Sequence, residues 1–186
     1  MAIANDIRKG NAIRCNGDIC LVLDQSRVKP GKGGAFVQTT LRNLRTGKSS
    51  QVRFGSNETV EIVILRRKKL EFSYRSGRDY VFIDPDTFEQ VTVGEELVGA
   101  ARDYLVEEGE YELVFDDGGS PMMLELPPSV VLTVAEAPEG LKGDSATNVR
   151  KPVTLETGLE INVPLFIKEG EKIKIDTRTG EYQGRA

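Results

Sequence analysis

Val28-Lys29-Pro30-Gly31-Lys32-Gly33-Gly34-Ala35-Phe36 lies between two runs that read as strands, Leu21-Val22-Leu23 before it and Ala35-Phe36-Val37-Gln38-Thr39 after it. Two β-branched or apolar runs joined by Pro and Gly are a hairpin signal. Pro30 fixes φ and Gly31 accepts φ > 0, so Pro-Gly suits the centre of a type II turn. Gly33 and Gly34 let the backbone double back or lie close to another surface. The stretch is therefore expected to project as a loop with Lys32 as the reactive side chain at its tip. Taken alone, it also fits a flexible glycine hairpin with an incidental lysine.

Moving outward, the same alternation recurs along the whole chain, as small barrels and sandwiches require. Asn16-Gly17 and Thr46-Gly47 bound strand runs at Ile19 to Asp24, Ala35 to Leu44 and Ser50 to Phe54. Arg75-Ser76-Gly77-Arg78 joins Lys69 to Tyr74 with Asp79 to Asp84, and Asp117-Gly118-Gly119 joins Glu110 to Phe115 with Met122 to Leu126. Ser129 to Ala135, Pro152 to Glu156, Glu160 to Pro164 and Glu171 to Asp176 follow. One short amphipathic helix is expected between Gly94 and Leu105, where Leu97, Val98, Ala101, Tyr104 and Leu105 recur at helical spacing. Composition changes sharply where Ile62-Val63-Ile64-Leu65 meets Arg66-Arg67-Lys68-Lys69, and Pro127-Pro128 is a second, rigid break. The expected organisation is all-β in three units, 1–64, 65–128 and 129–186, each near the lower size for independent folding.

Charge is distributed unevenly over these units. The chain of 186 residues has a formal net charge of −4, composed of +5 in 1–64, −8 in 65–128 and −1 in 129–186. Arg27, Lys29, Arg42, Arg45 and Lys48 surround the Lys32 loop in sequence. A small basic barrel presenting one lysine suits contact with the phosphates of structured RNA. Base-specific readout is not indicated, since aromatics are 6% of residues and none cluster on one strand. No apolar run approaches the roughly 18 residues of a membrane span. The first residues lack a signal-peptide core, so a cytoplasmic location is expected.

The chain has no histidine, so Ser-His-Asp and Cys-His catalysis and histidine-bearing zinc sites are excluded. Cys15 and Cys20 flank Asn16-Gly17; a two-residue turn there pairs Cys15 with Asp18 and Cys20 with Ile13. The two sulfurs then lie on one face but diagonally, and free thiols are expected rather than a disulfide. Adjacent carboxylates such as Glu107-Glu108, Asp116-Asp117 and Glu95-Glu96 point to opposite faces of a strand. No phosphate loop, dinucleotide fingerprint or nucleophile elbow is present. Neither enzymatic activity, a metal nor a cofactor is expected.

The loop from Val28 to Phe36, followed by Leu41-Arg42-Asn43-Leu44-Arg45-Thr46-Gly47, resembles bacterial elongation factor P. Gly140-Leu141-Lys142-Gly143-Asp144, Lys151-Pro152-Val153-Thr154-Leu155-Glu156-Thr157-Gly158, Val163-Pro164-Leu165-Phe166 and Asp176-Thr177-Arg178-Thr179-Gly180-Glu181-Tyr182 are similar to that family's C-terminal signature. The resemblance runs from end to end. It implies an N-terminal SH3-like (KOW-type) barrel followed by two OB-fold barrels, in a molecule shaped somewhat like a tRNA. It further implies a monomeric factor bound to the ribosome between the peptidyl-tRNA and exit-tRNA sites, relieving stalls at consecutive prolines. Lys32 matches the lysine that reaches toward the peptidyl-transferase centre and is often extended by a lysine-modifying enzyme. Lys29, Pro30, Gly31, Gly33 and Gly34 match its loop. Arg42 and Arg45 would face the tRNA acceptor arm, and Tyr182 and Arg185 match residues placed near the tRNA on the small-subunit side. Gly143-Asp144-Ser145 matches a loop facing the exit-site codon, although the family often has Thr where Ser145 stands. An arginine-tipped paralogue is disfavoured by Lys32, and the two-domain hypusine-bearing factor by the third unit. A general RNA-binding module remains the alternative of another class.

Overall fold

The computed structural model describes residues 2–31, 33–138 and 149–186, and the chain in it is built from three antiparallel sheets. The first contains β1 (Ala2–Ile3), β2 (Ala12–Cys15), β3 (Asp18–Val28), β4 (Phe36–Asn43), β5 (Ser49–Gly55) and β6 (Thr59–Val63), in the order β1-β6-β2-β3-β4-β5. The second contains β7 (Arg66–Ser76), β8 (Asp79–Ile83), β9 (Gln90–Gly94), β10 (Glu110–Phe115) and β11 (Pro121–Glu125), in the order β11-β10-β7-β8-β9. The third contains β12 (Ser129–Glu136), β13 (Arg150–Leu155), β14 (Glu160–Pro164), β15 (Lys172–Asp176) and β16 (Tyr182–Arg185), in the order β14-β13-β12-β15-β16. The residues form two compact units, 1–68 with 113–123, and 69–112 with 124–186.

Alternation places the cores. Along β4, Val37, Thr39 and Leu41 are buried while Phe36, Gln38, Thr40 and Arg42 face the other way. Val37 and Leu41 join Ile7, Ile13, Cys20, Val22, Phe54 and Val60 in one apolar cluster. The buried hydroxyl of Thr39 donates to the Val52 carbonyl at 3.0 Å, which satisfies it inside that cluster. In the third sheet Leu132, Val134, Val153, Leu155, Val163, Ile173 and Ile175 do the same work. In the second sheet Phe72, Phe82 and Tyr111 pack in sequence, the first pair tilted and the second edge-to-face, with ring centroids 5.4 Å and 6.4 Å apart.

The Asn16-Gly17 hairpin has the expected register, Ile13 opposite Cys20 and Cys15 opposite Asp18. Asn16 at φ 52° and Gly17 at φ 85° make the left-handed pair that a two-residue hairpin needs, and both cysteines are free thiols. The helix differs from expectation. The periodic stretch divides into α1 (Glu95–Val98) and a 3-10 segment Gly99–Tyr104. Gly99 at φ 51° stops the α-helix after one turn, and only Val98 and Leu105 of the stripe are fully buried.

One turn is built three times, once in each sheet. Asn43 Oδ1 accepts the backbone N–H of Arg45 and Thr46 at 2.9 and 3.0 Å. Asp84 Oδ1 accepts Asp86 and Thr87 at 2.8 and 3.3 Å. Asp176 Oδ1 accepts Arg178 and Thr179 at 2.8 and 3.3 Å. In each, the fifth residue donates its N–H to the first residue's carbonyl, and the threonine hydroxyl accepts the N–H of the sixth. The fifth residue is left-handed every time: Gly47 at φ 70°, Phe88 at 59° and Gly180 at 73°.

Candidate nucleic-acid interface

The long β3–β4 ribbon holds up the glycine-rich loop. Its ladder runs from Cys20 opposite Asn43 to Val28 opposite Phe36, so the loop spans residues 29–35 and stands on a closed, hydrogen-bonded base. Lys29, Pro30, Gly31, Gly33, Gly34 and Ala35 are all exposed. Lys32 lies outside the described residues. The left-handed glycine is Gly33, at φ 109°, and not Gly31, so Pro30-Gly31 does not form the expected type II turn. Among the described residues, a methyl group built on Gly31 or Gly34 would meet nothing within 4 Å. Crowding inside this chain therefore does not dictate glycine at those two positions.

At the foot of the loop the Arg53 guanidinium covers the Phe36 ring at 4.1 Å, within the range of a cation–π contact. Arg27 Nη2 donates to the Asn5 carbonyl at 2.7 Å. Arg53 escaped the sequence reading because it is 17 residues from Phe36. The register, Phe36 opposite Gly55 and Gln38 opposite Arg53, makes them diagonal neighbours on the outer face.

Arg42 and Arg45 belong to the other end of the ribbon, about 20 Å from Phe36 at strand rise, so they do not form a single patch with the loop. Arg42 is exposed on the outer face of β4, with no ion pair among the described residues. Arg45 is committed. Its Nε donates to Asp18 Oδ1 at 2.9 Å and its Nη2 to Asp18 Oδ2 at 3.0 Å, a two-pronged fork. Asn43 Nδ2 also donates to Asp18 Oδ2 at 2.8 Å. The Asn43 hydrogen bond first, and the Arg45 bonds after it, hold the Asp18 carboxyl below its usual value of 3.8. The fork leaves other Arg45 N–H groups open, its side chain being 69% exposed, but the Asp18 carboxylate offsets its charge toward a phosphate, whereas among the described residues Arg42 has no such counter-charge.

Tyr182 and Arg185 belong to the other compact unit, on β16. Tyr182 stands opposite Ile175 and packs half-buried on the third sheet's core. Arg185 lies over the Phe166 ring at 4.8 Å and 3.4 Å from the Glu171 carboxylate. Phe166 is 56% exposed, so a ring and a guanidinium are presented to solvent together, the two groups on which single-stranded bases stack. Phe166 was not anticipated as a site residue; its position two residues beyond β14, its exposure and its contact with Arg185 are visible only with the strands placed. Beside them, the Arg178 bond first, with backbone bonds from Arg178 and Thr179, holds Asp176 below its usual value. Gly143, Asp144 and Ser145 lie outside the described residues. Among the described residues no group of three His, Cys, Asp or Glu is placed to hold a metal ion, and no helix is long and apolar enough to cross a membrane. What these residues offer is charge, ring surface and closely approachable backbone.

Residues 3–60 match the family described as Elongation factor P (EF-P) KOW-like domain, 65–123 the Elongation factor P (EF-P) OB domain, and 130–185 Elongation factor P, C-terminal. The chain is 45% identical over 186 residues to Elongation factor P of Salinispora arenicola, covering 100% of both chains. It is 42% identical over 185 residues to Elongation factor P of Kocuria rhizophila, covering 100% of this chain and 98% of the other. Among solved structures, eukaryotic translation initiation factor 5A from Methanococcus jannaschii superposes with a TM-score of 0.55 at 21% identity. That match covers 67% of this chain and 92% of the other, and it bears on the fold alone.

Proposed function

We propose that this chain, which belongs to the elongation factor P family, stimulates peptide-bond formation at consecutive prolines, binding the ribosome beside the peptidyl-tRNA with the Lys32 loop turned toward the peptidyl-transferase centre. The family is one of translation elongation factors, with a KOW-like barrel leading into OB-type folding. The observation that carries the finer reading is the loop itself. Its described residues are all exposed, its base is closed by Val28 and Phe36, and a Cβ at Gly31 or Gly34 would meet nothing within 4 Å among the described residues. A slim backbone that the chain's own packing does not require suits insertion into a narrow place.

Proline is a poor acceptor because its ring fixes φ and hinders approach. The ribosome holds the chemistry; alignment is what fails. A cation ordering the end of the peptidyl-tRNA restores orientation, and each 1.4 kcal/mol recovered is about tenfold in rate. Lysine is a compact charge on a flexible stem, open to covalent extension by a modifying enzyme. Arg42, and Arg45 with its charge partly offset by Asp18, supply phosphate contacts to the acceptor arm; Tyr182, Arg185 and the 143–145 loop serve the distal tRNA and codon. The division 1–64, 65–128 and 129–186, a monomeric state and a cytoplasmic location belong to the same proposal, the first supported by the three matched segments.

The test is a reconstituted translation assay of a Pro-Pro-Pro message with ribosome sedimentation in parallel. Lys32→Ala is expected to abolish the stimulation while ribosome binding survives. A general RNA-binding module would instead keep its activity and lose only about one unit of salt slope. Equal stimulation by the variant and the parent sinks the proposal.

A further inference from the structure

Of the three equivalent turns, two put glycine at the left-handed fifth position and the third puts Phe88 there, at φ 59°. Left-handed backbone is unfavourable for a side chain with a Cβ, and more so for a bulky one. The fold derives nothing visible from this residue. Every hydrogen bond of the turn comes from backbone, Asp84 or Thr87, and the Phe88 ring is 77% exposed. It takes part in none of the ring or cation contacts among the described residues. Gly47 and Gly180 do the same local job without strain or an exposed ring. A strained, solvent-facing aromatic on a well-bonded turn has the form of an anchor presented to a partner.

We propose that Phe88 is a docking anchor that enters an apolar pocket, rimmed by lysine and arginine, on a protein partner. Charge decides the partner's class. Asp86 and Glu89 flank Phe88 in sequence, both are exposed, and the turn uses their backbone N–H groups and not their side chains. Of the carboxylates in 79–101, Asp84 is buried and holds the turn and Glu95 is ion-paired, so the charge presented beside Phe88 is that of Asp86 and Glu89, with no lysine or arginine in that stretch. The cations of this sheet, in 66–69 and at Arg75 and Arg78, all precede that stretch; Arg75, Arg78 and Arg102 pair with Glu95 at its far end, and none pairs with Asp86 or Glu89 among the described residues. Two carboxylates within a screening length of about 8 Å repel nucleic-acid phosphates and attract a basic protein rim. The ring supplies buried area and the carboxylates supply orientation, the usual division between anchor and rim.

The partner's being a ribosomal component rests on the function proposed above, and the experiment separates the two. Full-length chain is sedimented with purified ribosomes at fixed ionic strength, as the parent, as Phe88→Gly and as Asp86→Lys/Glu89→Lys. Phe88→Gly keeps the turn that Gly47 and Gly180 already form, and its melting curve checks this. It is expected to weaken binding at least about fivefold, the smallest loss that marks an anchor residue. The charge reversal is expected to weaken binding too. Parent binding with an unchanged Phe88→Gly variant overturns the anchor alone. Tighter binding of the reversed variant would identify RNA as the partner and overturn the proposal, as would no change. Failure of the parent to bind ribosomes overturns the functional reading and the ribosomal partner together. A photo-crosslinking phenylalanine analogue at position 88 names the partner: a crosslink into a basic protein segment supports the proposal, and one into RNA or none overturns it.

Discussion

Replacing Tyr111 by phenylalanine removes one oxygen from the centre of the compact unit formed by 69–112 and 124–186. The Tyr111 hydroxyl accepts the Val106 N–H at 2.9 Å and donates to the Tyr104 carbonyl at 2.9 Å, tying down the chain that leaves the 3-10 segment. The residue is 3% exposed. Gly109 presses on it so closely that a Cβ there would stand 2.8 Å from the hydroxyl and 2.9 Å from the ring, so the ring has no room to shift and compensate. Each hydrogen bond lost costs about 0.5–1.5 kcal/mol net, and a donor stranded away from water about 1–3. Val106 and Tyr104 are only half-buried, so water recovers part of this, and we expect about 2 kcal/mol. For a chain of this length that is a fall in Tm of about 4–8 °C, read by calorimetry and by urea titration at pH 7. The pH dependence adds a sign. Burial first, and the Glu156 charge after it, push the Tyr111 hydroxyl above its usual 10.0, against the Val106 bond that pulls it down. The folded state therefore prefers the neutral phenol. Its contribution is complete below pH 10 and erodes as pH rises beyond that, so parent and variant should converge in alkali. A loss under 0.5 kcal/mol at pH 7, or a gap that widens above pH 10, refutes this account.

Two further expectations concern the repeated turn and the acid limb. Gly47→Ala meets open space and carries only the left-handed strain, about 1–2 kcal/mol offset by about 0.4–1 from the stiffer unfolded chain. Gly180→Ala adds a Cβ 3.2 Å from the Tyr104 hydroxyl, so it should be the more destabilising of the two in urea titration; the reverse order would show that crowding there is relieved freely. Asp18 and Asp176 both titrate below the ordinary 3.8. A depressed carboxylate stabilises the fold above its unfolded value and loses that contribution as pH falls through the folded one. Asp176→Asn keeps the turn, since Asn43 accepts the same two N–H groups, but gives up the charge facing Arg178 and Gln183. Asp18→Asn likewise loosens Arg45. Each variant should be weaker than the parent at pH 7 and converge with it below pH 3.8, and curves that run parallel across that range would sink the assignment.

Much of the scaffold was legible because its signals are local. The Asn16-Gly17 pair dictates a hairpin whose register follows by counting, and the inward Val37, Thr39 and Leu41 of β4 follow from period two. The helix was legible only in part: spacing reveals the apolar stripe, but not that Gly99 takes a positive φ and ends the α-helix after one turn. Short edge strands such as Ala2–Ile3 and Tyr182–Arg185 carry too few residues to show a period, and they exist because a neighbouring strand offers its open edge. The basic balance of the first 64 residues and the Pro-Gly-Lys-Gly-Gly stretch between two strands were likewise plain from order alone.

Side-chain partnerships were not. That Arg45 is already held by Asp18 while Arg42 has no ion pair among the described residues, that Arg53 covers Phe36, and that Arg185 lies over Phe166 all depend on pairing strands distant in sequence. The triple turn shows the boundary most clearly. Its first residue, threonine and hairpin setting can be read from three short strings, whereas the left-handed fifth position is set by the closing hydrogen bonds to both neighbouring strands. Only with those bonds in place does Phe88 become a residue held against its own preference. Sequence by itself determined which segments pair locally and where charge accumulates, because propensity and composition act over a few residues. The tertiary structure decided which charges are spent on one another and which are left to meet a partner, because that depends on distances across strands that no local pattern encodes.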